Sequence, residues 1–171
     1  MSYDEHTAAA ARRDTPVRCA VITISDTRTL ETDTSGPLMR DLLTAAGHEV
    51  IHSQIVPDDP EELAEAIHRL VGRADCDAIL TNGGTGIARR DATIEAVEPL
   101  LDKKLPGFGE LFRMLSYSDI GAGAMLSRAT AGVAGRTLVF CMPGSSGAVR
   151  LALEKLIIPE LPHLAWELVR Q

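Results

Sequence analysis

Eleven consecutive residues bring together three kinds of group that phosphate chemistry uses. The stretch Thr81-Asn82-Gly83-Gly84-Thr85-Gly86-Ile87-Ala88-Arg89-Arg90-Asp91 follows the apolar run Ala78-Ile79-Leu80. Three glycines allow backbone N–H groups to turn into one concavity that suits an anionic oxygen. The planar fork of an arginine gives phosphate two hydrogen bonds at once. An aspartate beside such a site can hold a divalent cation. The stretch therefore reads as a phosphate nest with its own metal ligand, or as a tight turn carrying solvated charges. Arg89 and Arg90 alternate along the chain, so one of them is expected to be a solvated or structural charge.

The elements around this loop decide where it points. Val17–Ile24 is a β-branched apolar run, expected to be a buried strand. Ser35-Gly36-Pro37 reads as a helix start with a capping hydroxyl, and Gly47 as its stop. Val50–Val56 is a second strand. Asp59-Pro60-Glu61-Glu62 fits a capping box, and Leu63, Ile67, Leu70 and Val71 then share one helical face. Asp77–Thr81 is a third strand, and a helix is expected from Thr93 to about Leu101. Leu111–Leu115 could be helical, with a loop at Gly121-Ala122-Gly123. Arg136–Met142 is another strand, and Val149, Leu153, Leu156 and Ile157 mark another helix. Pro159 and Pro162 are expected to interrupt the chain before a last short helix over Leu164–Val169. Strands alternating with amphipathic helices predict an α/β fold, a three-layer sandwich with a mostly parallel central sheet flanked by helices.

In such a sheet, ligands bind outside the carboxyl ends of the strands. Four polar loops follow strands here: Ser25-Asp26-Thr27, Pro57-Asp58-Asp59, the glycine loop, and Pro143-Gly144-Ser145-Ser146-Gly147. A parallel sheet puts all four on one edge, where they form a convergent polar pocket. Each residue also has a plainer role open to it. Ser25 and Asp26 can close a turn. Asp59 suits a helix cap, which leaves Asp58 the freer carboxylate. Ser145 can cap the helix that carries Val149 and still contact phosphate.

Composition limits the partners. The 171 residues carry 17 basic and 24 acidic side chains, a net charge of −7. That disfavours nonspecific binding to nucleic acid or anionic membrane. One domain over residues 17–171 is expected, preceded by a flexible arm over residues 1–16 with no apolar signal-peptide core. Apolar residues make up 45% and aromatics 4%, so the core must be aliphatic. Cys19, Cys76 and Cys141 are widely spaced and odd in number, which suggests buried thiols rather than disulfides or zinc ligands. A cytoplasmic protein is expected. The patterns G-x-x-x-x-G-K-[ST] and G-x-S-x-G are absent, Gly83-Gly84-Thr85-Gly86 does not fit G-x-G-x-x-G, and the five histidines lack metal-ligand spacing.

From about Val17 to His163 the chain resembles the molybdenum cofactor biosynthesis family that includes MoaB, Mog and the gephyrin G domain. The resemblance rests on seven motifs in order. These are Ser25-Asp26-Thr27 with Asp33-Thr34-Ser35-Gly36, Val56-Pro57-Asp58, Thr81 to Gly86, and Arg90-Asp91-Ala92-Thr93. Pro106-Gly107-Phe108-Gly109-Glu110, Leu126-Ser127-Arg128 and Met142-Pro143-Gly144-Ser145 follow. Spacing, length and a short C-terminus look more like the MoaB branch than the Mog branch. The resemblance implies a homotrimer, or a hexamer built from it, that binds molybdopterin and works beside other proteins of the cofactor pathway. It also implies adenylylation: the terminal phosphate of molybdopterin attacks the α-phosphate of Mg-ATP and pyrophosphate leaves. Asp58 and Asp91 correspond to the family's two activity-linked aspartates and are assigned to catalysis and to Mg²⁺. The Gly83, Gly84, Thr85 and Gly86 backbone and Arg90 are assigned to substrate phosphate, and Glu110, Ser127 and Ser145 to the pterin or its phosphate. Ser25, Asp26, Pro143 and Gly144 are assigned to substrate binding. Two departures stand out. Ile94 occupies a position where many members have proline, and Ser146-Gly147-Ala148 lacks a lysine that many carry. The alternative function is a non-catalytic molybdopterin-binding carrier of the MoaB type.

Overall fold

Burial on both faces of one sheet organises the chain. The computed structural model describes residues 15–169. The expected arm, apart from Thr15 and Pro16, lies outside the described residues. Six strands run in the order β2-β1-β3-β6-β5-β4. They are β1 (Arg18–Ile24), β2 (Glu49–Val56), β3 (Ala78–Asn82), β4 (Lys103–Lys104), β5 (Thr130–Ala134) and β6 (Thr137–Met142). The first three and β6 are parallel; β5 pairs antiparallel with β6 and with β4.

Alternation along each strand sorts side chains into two cores. Cys19, Val21, Leu80, Leu138 and Phe140 face one layer, against Met39 and Leu43 of α1 (Ser35–Ala45) and Phe112 of α4 (Pro106–Ile120). Val149 of α5 (Ser146–Ala152) and Leu161 of α6 (Ile158–Val169) complete that layer. Ala20, Ile22, Ile79 and Val139 face the other, against Leu63, Ile67 and Leu70 of α2 (Pro60–Val71) and Val97 of α3 (Thr93–Val97). The result is the expected three-layer sandwich with an aliphatic core. The ring of Phe108 meets that of Phe140 edge-on at 5.4 Å.

Four local expectations need correction. The N-cap position of α1 is Thr34, and the first N–H groups are satisfied by the preceding Asp33, whose Oδ1 accepts from Ser35 (3.0 Å) and Gly36 (3.1 Å). The Ser35 hydroxyl instead donates to the Gly144 carbonyl at 2.7 Å. The segment around Leu111–Leu115 is one 15-residue helix, and Gly121–Leu126 is a 3₁₀ turn rather than an open loop. Gly107 and Gly109 hid this helix by lowering its propensity. Gly109 is required there, because a Cβ would stand 2.6 Å from the Ala129 carbonyl oxygen. Pro162 lies inside α6, which is continuous after a π turn over Leu153–Ile157. Burial of Leu161 against the core outweighs the lost backbone bond. Finally, β4 and β5 were not anticipated, because Thr-Ala-Gly-Val-Ala has little strand character.

Candidate functional site

The strand order reverses between β1 and β3, and the glycine loop leaves the sheet at that crevice. The four loops expected on one edge meet there. Gly144 packs on Gly83, where a Cβ would stand 3.1 Å from the Gly83 Cα. Asp26 Oδ1 accepts the Asp58 N–H at 3.1 Å, and its other oxygen pairs with the Arg90 guanidinium. Asp26 thus meets the second and third loops, and Arg90 is the member of the arginine pair that has a carboxylate partner, at an exposed position. Arg89 is exposed. The Ser25 hydroxyl accepts from the Thr27 and Arg28 N–H groups and so closes its own turn.

Three consecutive carbonyls of the loop are tied back into the protein. Gly83 O accepts from the Thr93 hydroxyl at 3.0 Å, Gly84 O from the Thr93 N–H at 3.0 Å, and Thr85 O from Arg128 Nε at 2.8 Å. Among the described residues, the N–H groups of Gly84, Thr85 and Gly86 donate to no protein acceptor. Three consecutive N–H groups without a protein acceptor, here termed the nest, are open to an anionic ligand. Gly83 (φ +104°) and Gly84 (φ +61°) hold backbone conformations that other residues avoid.

Two carboxylates flank the nest. A Cβ on Gly84 would meet Asp58 Oδ1 at 2.8 Å, and one on Gly86 would meet Asp91 Oδ2 at 2.5 Å. Asp91 Oδ2 accepts the Ala88 N–H at 2.9 Å, and the Asp91 N–H donates to Ala88 O. Burial, then the charges of Asp91 and Asp26, push the Asp58 carboxyl above its ordinary value, while Arg90 opposes them. Negative charge is therefore undercompensated at Asp58, and a divalent cation would relieve it. Among the described residues no three His, Cys, Asp or Glu side chains gather into a complete metal cage. Two aspartates nevertheless fit Mg²⁺, which commonly uses one or two carboxylates and takes its other ligands from water and substrate phosphate.

The raised Asp58 value has a consequence for stability. The native state holds this proton to higher pH than the unfolded chain does. Stability is therefore lost as pH rises from the ordinary carboxylate range through the Asp58 value. Asp58→Asn removes that loss. Its Tm at pH 7 should exceed that of the unsubstituted protein, and the gain should shrink as pH falls toward the ordinary carboxylate range. An equal or lower Tm at pH 7 would contradict this account.

Two clefts are lined by residues of the neighbouring loops, and neither is lined by Gly83–Gly86, Asp58 or Asp91. One, of about 230 Å³, is lined by Ser127, Pro143 and Ser145 together with Ser116 and Asp119. Ser145 also caps α5, accepting the Ala148 N–H at 3.2 Å. The other is an open groove of about 630 Å³ beside Ser25, Asp26 and Pro57. Glu110 is exposed on α4 and lines neither cleft. Asp59 caps α2 through the N–H groups of Glu61 and Glu62, so its carboxylate is occupied. A separate cavity of about 340 Å³ lies beside Arg18, Asp77 and Trp166, at the strands' other end.

Sequence reasoning assigned no role to a buried strut behind the nest. Asn82 Nδ2 donates to Thr23 Oγ1 at 3.1 Å, and that hydroxyl donates to Asp33 Oδ2 at 2.7 Å. The chain of bonds joins β3, β1 and the start of α1. Its signal was present: Thr23 and Asn82 are polar residues at buried positions of apolar strands.

Comparison with known proteins agrees with the fold and with the family that the motifs resemble. The family described as "Probable molybdopterin binding domain" matches residues 20–163. The chain belongs to this family. It is 58% identical to molybdenum cofactor biosynthesis protein B of Bacillus cereus over the whole of both chains. A crystal structure of a molybdenum cofactor biosynthesis protein B superposes with a TM-score of 0.90 at 60% identity, covering 92% of this chain and 99% of that one. The molybdopterin biosynthesis Mog protein of Mycobacterium ulcerans superposes at 0.81 with 34% identity, covering 92% and 100%. The higher identities fall on the MoaB side of the family, as the spacing of the motifs suggested.

Proposed function

We propose that this member of the molybdenum cofactor biosynthesis family binds molybdopterin and adenylylates it with Mg-ATP, releasing pyrophosphate. The observation that supports this most is the nest of three unused N–H donors flanked by Asp58 and Asp91. Separate clefts at the first and fourth loops are where the remainder of the two substrates would lie. In the reaction a terminal phosphate oxygen of molybdopterin forms a bond to the α-phosphorus of ATP, and the bond from that phosphorus to the bridging oxygen breaks. That phosphate is already a nucleophile at neutral pH, so no strong base is required. Positioning and charge neutralisation supply most of the acceleration in phosphoryl transfer. The Gly84–Gly86 amides hold a phosphate with fixed dipoles. Arg90, held by Asp26, adds positive charge at the rim. Ser127, Pro143 and Ser145 hold the pterin end. Mg²⁺, when bound to Asp58 and Asp91, neutralises the charge of the two approaching phosphates.

Pyrophosphate release with Mg-ATP and molybdopterin tests this directly. Release that needs all three components is expected. Molybdopterin binding without release would instead establish the carrier reading. That second reading draws support from the start of α5, where Ser146, Gly147 and Ala148 present no cation.

The same reading includes self-association as a trimer. Leu111, Met114, Tyr117, Ile120, Met125 and Leu126 are exposed along α4 and the following turn. Exposed apolar side chains concentrated on one segment suit an interaction site. Light scattering should give about three times the 18.3 kDa chain mass; a monomer mass in dilute solution would rule the trimer out. Among the described residues no helix is long and apolar enough to cross a membrane. The three cysteines are buried and free, which suits the reducing cytoplasm.

A further inference from the structure

One guanidinium holds the glycine loop at both ends. Arg128 Nε donates to the Thr85 carbonyl at 2.8 Å, where the loop leaves the nest. Its Nη2 reaches the Asp91 carbonyl at 3.4 Å, where the loop ends. The same fork grips both oxygens of Glu95 in α3, at 2.5 and 3.0 Å. Arg128 therefore bridges the seven-residue span from Thr85 to Asp91 and fastens it to α3. It is half-buried and outside both clefts.

Little else fixes that span. Ile87, Ala88, Arg89 and Arg90 are exposed. Their anchors are the reciprocal bonds between Ala88 and Asp91, and the exposed pairing of Arg90 with Asp26. A surface ion pair of that kind contributes little to holding a loop. Bidentate and charge-assisted bonds from a rigid fork constrain geometry far more.

We infer that Arg128 is a positioning residue that clamps the loop shut and thereby sets the place of Asp91 against the nest. Its importance for turnover rests on the role proposed above for Asp91. Lysine cannot reproduce the clamp, because a single ammonium lacks the planar fork that reaches two carbonyls and a carboxylate together.

Two measurements on Arg128→Lys and Arg128→Ala test the inference. Amide hydrogen exchange at Ala88 and Asp91 reads whether the loop is held. Pyrophosphate release at varied Mg²⁺ and molybdopterin reads whether Asp91 is in place. Exchange at both amides should accelerate in both variants. The kcat should fall by about 10- to 100-fold, the scale of a roughly 1 Å misplacement, with KM for molybdopterin little changed and more Mg²⁺ needed for half-maximal rate. Free guanidinium should restore part of the Arg128→Ala rate. Unchanged exchange in both variants would overturn the clamp. Faster exchange with an unchanged kcat would overturn its part in placing Asp91. If the unsubstituted protein releases no pyrophosphate, the catalytic reading fails, and the exchange measurement alone decides whether Arg128 holds the loop. Should Arg128→Ala fail to fold, Arg128→Lys carries the same readouts.

Discussion

Asp91→Asn is expected to lower pyrophosphate release by about 10²- to 10³-fold, the scale of losing one main electrostatic contributor to a transition state. Molybdopterin binding should change little. The reason is the double use of this carboxylate. Oδ2 receives the Ala88 N–H and lies against Gly86, so it is held in one orientation beside the nest. Asparagine has the same shape and can still accept the Ala88 bond through its oxygen, so the loop should persist. What is lost is the negative charge that would hold Mg²⁺ between two repelling phosphates. Steady-state release and calorimetry on the same preparation separate the two effects. A variant that retains full release would remove Asp91 from the catalytic machinery. Loss of release together with loss of pterin binding would point to a disrupted loop instead.

Gly83→Ala should be the most damaging small substitution in the loop. A Cβ there would stand 2.3 Å from the carbonyl oxygen of Ile24, the last residue of β1. No side chain can move aside, because the obstacle is backbone. The required φ of +104° is also one that L-residues avoid. Backbone strain and the clash together should cost about 3 kcal/mol, a Tm fall of roughly 6–12 °C for a domain of this size. The nest would also part from β1, so phosphate-dependent binding should be lost even at temperatures where the variant is folded. Gly107→Ala is the control. It lies in the first turn of α4 with no atom within 4 Å of the added methyl. It should be neutral or stabilising by about 0.5 kcal/mol. Thermal unfolding of the two variants side by side decides the matter. Equal Tm values would mean that Gly83 is not held against β1 as described.

Much of this protein was legible before its structure. The strands β1, β2, β3 and β6 declared themselves through β-branched apolar runs. The helix α2 did so through an apolar face behind Asp59, a cap with a proline beside it. Period and capping are local signals, so they survive without tertiary context. The edge of the sheet that carries the site followed from the alternation of strands and helices alone. Other elements were not legible, for equally local reasons. In α4 two glycines weakened the helical signal, although Gly109 is demanded by the approach of Ala129 from another element. In α6 two prolines suggested a break that burial against the core overrides. The capping of α1 was misread because Asp33, two residues upstream, competes better than the Ser35 hydroxyl, which Gly144 engages from a distant loop.

The sequence by itself determined the types of group at the site, their order, the α/β class and the family, because motif and period are written in neighbouring residues. Only the tertiary structure decided which groups meet. It brought Asp58 against Gly84, set Asp26 against two other loops, and left three amides without a protein acceptor. It also found work for Thr23, Asn82 and Arg128, whose partners lie 10, 59 and 43 residues away. Such contacts depend on the packing of whole elements, and spacing along the chain does not encode them.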